Sequence, residues 1–228
     1  VVAHLHLWNR AADLSLRDEA AFVAFMAELG QALQSGQGHM QFTWQWLGDG
    51  RGRQLLEAWR SFYQEMAERF AAADPKQRVK WAGPDMSVRS SITARLMETW
   101  AHGQEVYDAL GVERVDHDRI KNIADLGVRT YGWTFKNRGL DVPEPAPRVR
   151  LIAPSGATWE WNEASEDERV EGSATDFCQV VTQVRNVADT ELAVVGDNAR
   201  AWMAIAQCFA GPPEDPPEPG TRFTKQPE

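Results

Sequence analysis

At 228 residues the chain has room for one large domain or two modest ones. A content of 43% hydrophobic and 25% charged residues is ordinary for a globular protein. The net charge of −9 argues against nucleic acid or an anionic membrane as partner, since both want a basic face. No apolar run reaches the ~20 residues of a membrane span, and no signal peptide is visible. Nucleic acid and membrane are therefore not expected partners, and the cytoplasm is the expected location. Ten tryptophans can line a pocket or fill a core, and core packing is the favoured reading. Cys178 and Cys208 lie in apolar helical contexts and read as buried free thiols.

The chain opens inside a helix, with no cap before His4-Leu5-His6-Leu7-Trp8. Ser15-Leu16-Arg17-Asp18 has the form of a helix start, and a second helix is predicted to run from there to about Leu33. The glycine-rich stretch 35–52, with Trp44 and Trp46, reads as a loop. Arg53 to Ala73 keeps the helical period through Leu55, Leu56, Trp59, Phe62, Tyr63, Met66 and Phe70, and Asp74-Pro75 ends it.

A long central helix follows. Ser87 is the expected N-cap after the Gly83-Pro84-Asp85 turn, and Gly111 the expected stop. Ile92, Leu96, Trp100, Gly103, Tyr107 and Leu110 form an apolar stripe at steps of three and four. Ser91, Arg95, Glu98, His102 and Glu105 form the opposite stripe. Glu98 and His102 are four apart, one turn above the other on one face. At that spacing two readings stand: one edge of a metal site, or the solvated face of an amphipathic helix.

A further helix is expected from Asp118 to Asn137, closed by Gly139. Val142-Pro143-Glu144-Pro145-Ala146-Pro147 reads as a stiff linker and domain boundary. Beyond it the period shifts toward two. Arg148 to Ala153 and Thr158 to Trp161 read as a hairpin, with Arg169 to Glu171 as a third short strand. Ser173 opens a helix running to about Asn186, Glu191 to Val195 is β-rich, and Asp197 caps a last helix to Phe209. The proline-rich segment 211–228 is predicted to be disordered. The expected class is α+β, with a helical bundle over 1–140 and a small α/β domain over 148–210.

Ala94-Arg95-Leu96-Met97-Glu98-Thr99-Trp100-Ala101-His102-Gly103-Gln104 resembles the core motif of DinB-like proteins of the mycothiol-dependent maleylpyruvate isomerase type. More narrowly, it is similar to an uncharacterised metal-binding branch of that group. Val2-Ala3-His4-Leu5 resembles the group's helix with its first metal-binding histidine. Gly196-Asp197, Ala201-Trp202-Met203-Ala204-Ile205-Ala206 and Phe209-Ala210-Gly211 also fit the branch. The resemblance implies a DinB four-helix bundle with a metal at one end, then a sterol-carrier-like α/β domain. It implies His4, Glu98 and His102 as the ligands, and so turns the polar stripe into the bundle. His6, about 200° round the helix from His4, cannot share that metal. His6, His39 and His117 read as ordinary surface or packing histidines. DinB domains carry a helix upstream of the first ligand histidine, and this chain has none. A neighbouring chain or an upstream segment would complete that face.

Two imidazoles and one carboxylate suit Zn²⁺ and leave a fourth position. Fe²⁺ and Ni²⁺ accept the same ligand types. The resemblance implies that a low-molecular-weight thiol, mycothiol in the isomerase, binds there as thiolate. Arg185 is the residue matched to the isomerase's C-terminal-domain arginine, where it would bind a substrate carboxylate at two points. The bland reading of Arg185 is a charge favoured by a helix C-terminus. Arg95 and Glu105, one turn either side of the ligands, are placed to orient them. Three functions follow: a metal- and thiol-dependent isomerase or transferase, a metal-dependent hydrolase using a metal-bound water, or a non-catalytic metal- or ligand-binding protein.

Overall fold

The structure, a computed structural model, describes residues 1–222. It divides into two compact units, 1–99 and 100–228. The division falls inside one helix rather than at the proline-rich stretch 142–147.

The first unit is built on α1 (Val2–Arg17). Ala3, Leu5, Leu7, Ala11 and Ala12 are buried, and so are the polar Asn9, Asp13 and Ser15. Burial on nearly every side follows from what surrounds the helix. α2 (Glu19–Gln34), α3 (His39–Leu47) and α4 (Gly52–Ala72) all pack on it. Leu7 and Ala11 meet Phe22, Phe25, Leu29 and Phe42, while Ala12 meets Met66, Phe70, Val79 and Val88. A carboxylate inside such a helix needs a counter-charge. Asp13 receives Arg69 at 2.6 Å and Arg17 at 3.1 Å.

Two expectations fail here. Ser15 does not start the second helix, because α1 continues to Arg17. Asp18 is the N-cap and accepts from the Ala21 amide at 3.0 Å. Ser15 is buried in the last turn of α1 and donates to the Lys80 carbonyl. The glycine-rich stretch is not all loop either. Glycines flank a helix, α3, whose Phe42 enters the core. Arg78–Val79 (β1) and Met86–Ser87 (β2) then pair antiparallel around the predicted turn.

α5 (Val88–Leu110) is the central helix. Ser87 caps it as expected, accepting from the Ser90 amide at 3.1 Å, and Gly111 stops it at φ +66°. Its polar stripe faces inward: Ser91 and Arg95 are buried, while Tyr107 and Leu110 on the expected core stripe are exposed. Trp100 is buried as predicted, and its indole N–H donates to Asp116 at 2.7 Å.

In the second unit the expected single helix is two, α6 (Lys121–Arg129) and α7 (Tyr131–Lys136). They part at Thr130, whose hydroxyl bonds back to the Leu126 and Gly127 carbonyls. A four-stranded sheet follows, in order β4-β3-β5-β6. β3 (Arg148–Ile152) pairs antiparallel with β4 (Thr158–Trp161) and parallel with β5 (Arg169–Ser173), and β6 (Ala193–Val195) closes the other edge. The period of two puts Val149, Leu151, Trp159 and Val170 on the buried side. α8 (Ala174–Val181), capped by Ser173, covers that side but stops short of Asn186. α6 crosses α8 at Gly127, where an added Cβ would stand 2.8 Å from Val181 and 3.1 Å from Phe177.

α9 (Asp197–Met203) is shorter than predicted, and Asp197 does not cap it. Glu168 does, accepting from the Ala199 amide at 2.8 Å. Gly196 at φ +95° makes room for that carboxylate. Cys178 and Cys208 are both buried, and burial pushes the Cys178 thiol well up.

The stretch 142–147 is no free spacer. Tyr131 donates to the Pro143 carbonyl at 2.7 Å, Asn198 to Pro145 and Asn162 to Pro147. Burial, with Glu144 and Glu168 nearby, pushes the Tyr131 phenol up to about 12. The predicted disorder of the tail is also corrected for residues 211–222; residues 223–228 lie outside the described residues. Proline-rich chain lacks apolar mass but offers carbonyls. Asn137 donates to Gly211, Arg138 to Asp215, Gln183 to Glu214 and Asn186 to Pro217, while the Gly220 amide meets Asp189.

Gly127→Ala should lower stability by about 1–3 kcal/mol, the usual cost of overpacking; a denaturant titration with an unchanged midpoint would contradict the close crossing of α6 and α8. Truncation after Gly211 should lower the melting temperature measurably, because several buried or half-buried donors lose their acceptors. An unchanged melting temperature would mean that the tail contributes nothing.

Candidate metal centre

α1 and α5 bring His4 and Glu98 together. His4 Nε2 lies 3.1 Å from a Glu98 carboxylate oxygen, with both side chains about three-quarters or more buried. His102 follows Glu98 by one turn of the same helix. One ligand atom from each of His4, Glu98 and His102 falls in a group whose members all lie within 4.8 Å of one another. These are the three residues that the resemblance implies. Ligand atoms on a tetrahedral zinc stand about 3.3 Å apart, given bonds of about 2.0–2.1 Å. Separations of up to 4.8 Å are wider than that, so the side chains must draw in to hold an ion; their chemistry, two imidazoles and a carboxylate, suits one.

Charged groups stand next to Glu98 and His102. Glu105 lies 3.3 Å from His102 Nδ1, so Nε2 is the ring nitrogen that could face a metal. The hydrogen bond to His102 holds the Glu105 carboxyl below its ordinary range, against a smaller opposing effect of burial; Arg222, 3.4 Å away, adds to it. Arg95 is buried one turn before Glu98. A guanidinium nitrogen stands 3.9 Å from Glu98, and the guanidinium lies over Trp81 at 5.3 Å. Burial lowers the Arg95 pKa, and the Glu98 charge partly restores it. Arg95 thus sits beside Glu98, and Glu105 beside His102.

His6 points elsewhere. Its ring meets Trp46 and Phe62 edge-on at 5.5 Å each, and it lines a separate cavity of about 430 Å³ with Trp46, Asp49 and Gln54. His39 packs, as the sequence reading has it, but beside His4. Its ring stacks on Trp8 and lies 5.8 Å from the ring of His4. Sequence reading missed that position because α3 was taken for loop. Burial and His4 lower its pKa, and Glu98 raises it.

Arg185 follows α8 rather than ending it, and its fork is filled. Two guanidinium nitrogens meet the two oxygens of Asp108 at 2.8 and 2.7 Å, and one also donates to the Val184 carbonyl. A substrate carboxylate would have to displace an intramolecular one. The bidentate pair ties Arg185 to Asp108 of α5 within the second unit.

The family described as mycothiol maleylpyruvate isomerase N-terminal domain matches residues 1–107. Two uncharacterized proteins of Mycobacterium tuberculosis, from the CDC 1551 / Oshkosh and H37Rv strains, are each 40% identical over 212 residues. The match covers 93% of this chain and 81% of each relative. No solved structure matches. The matched domain ends five residues past His102 and so contains all three converging side chains: the chain belongs to the mycothiol maleylpyruvate isomerase-like family.

Proposed function

We propose that the chain is a divalent-metal enzyme that uses a low-molecular-weight thiol for isomerisation or group transfer on a small electrophilic substrate. The observation that supports this best is the convergence of His4, Glu98 and His102 from two helices. Zn²⁺ is the ion their chemistry suits first. When bound, it would supply a Lewis-acid position that favours a thiol such as mycothiol as its nucleophilic thiolate.

The remaining work falls to the chain's own residues. Glu98 brings one negative charge, so with two neutral imidazoles the donor set leaves net positive charge on a divalent ion. That residual charge is what attracts an anionic sulfur. Glu105 fixes the tautomer of His102 by accepting a hydrogen bond from Nδ1–H. Its lowered pKa keeps it an acceptor throughout the neutral range; the sign means that protonation, and loss of this hold, comes only in acid. Arg95 faces Glu98 with a buried positive charge and restrains where the carboxylate points. Trp8 and Trp81, 5.7 Å apart, form an apolar wall beside these groups, which strengthens electrostatic contacts by excluding water. Arg185 acts on a substrate carboxylate only if it releases Asp108.

Protein purified without chelator should carry close to one equivalent of metal. His4→Ala, Glu98→Ala and His102→Ala should each lose most of it, while His6→Ala should keep it. Metal retained by all three triad variants, read by elemental analysis, would contradict the assignment. Mycothiol should bind the metal-loaded protein and not the apoprotein in calorimetry, and Glu98→Gln should abolish the binding. A metal-loaded protein that ignores mycothiol but turns over ester or amide substrates would favour hydrolysis instead.

A further inference from the structure

One histidine beside the triad has no part in the reading above. His39 is the first residue of α3, directly after Gly38. Its ring centroid lies 5.8 Å from that of His4, with the planes at 51°. It is stacked flat on Trp8, 5.6 Å between centroids and 8° between planes. Trp8 stands one turn beyond His4 on α1, so α1 and α3 press these rings together next to Glu98.

We propose that His39 is a fourth, exchangeable protein ligand of the metal centre. It closes the site at rest and withdraws when a thiol or substrate arrives. The proposal rests on the metal reading of His4, Glu98 and His102.

The first support is distance. An imidazole bound through nitrogen at about 2.0–2.1 Å has its ring centre roughly 3.2 Å from the ion. Two such rings on one tetrahedral ion have centroids about 5.2 Å apart, and about 6 Å when the angle between them opens. The 5.8 Å between His39 and His4 falls in that span. The second support is chemistry, since a third imidazole suits the ions the triad suits. The third is freedom to move. His39 does not belong to the group of ligand atoms within 4.8 Å, so its ring must shift to bind. A ring lying flat on an indole can slide in its own plane and keep the stack. Four protein ligands give a closed zinc site and three an open one. His39 is thus placed to switch the centre between the two.

The test uses the full chain loaded with Co²⁺, whose visible absorption is intense at four-coordination and weak at six. Wild type should show the intense four-coordinate bands, with His39→Ala showing weaker, shifted ones. Added imidazole should restore the wild-type spectrum to His39→Ala. Zn²⁺ affinity should fall in the variant by more than the ~10–100-fold that loss of an orienting neighbour can produce. His39→Phe keeps a ring on Trp8 and should give the same losses, which separates ligation from packing. Identical cobalt spectra and zinc affinities in wild type and both variants would overturn the proposal while leaving the triad intact. Failure of wild type to take up cobalt at all would overturn the triad, and this proposal with it.

Discussion

Desolvation of polar groups on a single helix is the constraint on which the first unit depends. α1 is wrapped by α2, α3 and α4, so it has almost no watered face on which to park a charge. A buried charge on it needs a partner inside. Asp13 finds Arg69 and Arg17. His4 finds Glu98 on α5. An ion at that second place would serve the same need, since it takes imidazoles and a carboxylate out of water and pairs them at once. The candidate centre is in this sense the polar solution at one end of the helix, and the Asp13 cluster the solution further along.

The same constraint explains the helix α5. A stripe of Ser91, Arg95, Glu98, His102 and Glu105 reads naturally as a solvated face. The structure buries Ser91 and Arg95 and half-buries the rest. Arg95 bears the cost of that burial in a lowered pKa, offset by Glu98 and by the face of Trp81. In the second unit the logic is more familiar. Alternating strands cover α8, and α6 approaches α8 as closely as a glycine permits.

How much of this was legible in the sequence varies by residue. The Glu98–His102 spacing was plain, and the capped start of α5 at Ser87 with its stop at Gly111 followed from local chemistry. Periodicity could not say which stripe faced inward, because a buried polar stripe and a solvated one look alike. The resemblance supplied that, and it also supplied His4, which no spacing rule connects to a residue 94 positions away. α3 was lost because its flanking glycines outweighed a short helical pattern, and the position of His39 was lost with it. Phe42 and Trp46, four apart within the glycine-rich stretch, were the available signal. The docked tail was illegible for another reason. Its anchors are carbonyls and single side chains, which leave no hydrophobic pattern. The role expected of Arg185 met a partner, Asp108, 77 residues away that composition gives no means of finding.

The most direct test of the central claim is anomalous diffraction at the zinc edge from crystals of protein grown without chelator. The account predicts one peak with a nitrogen of His4, a nitrogen of His102 and a carboxylate oxygen of Glu98 each about 2.0–2.2 Å from it. A peak elsewhere, or none in metal-replete crystals while His4 and Glu98 remain hydrogen-bonded to each other, would contradict it.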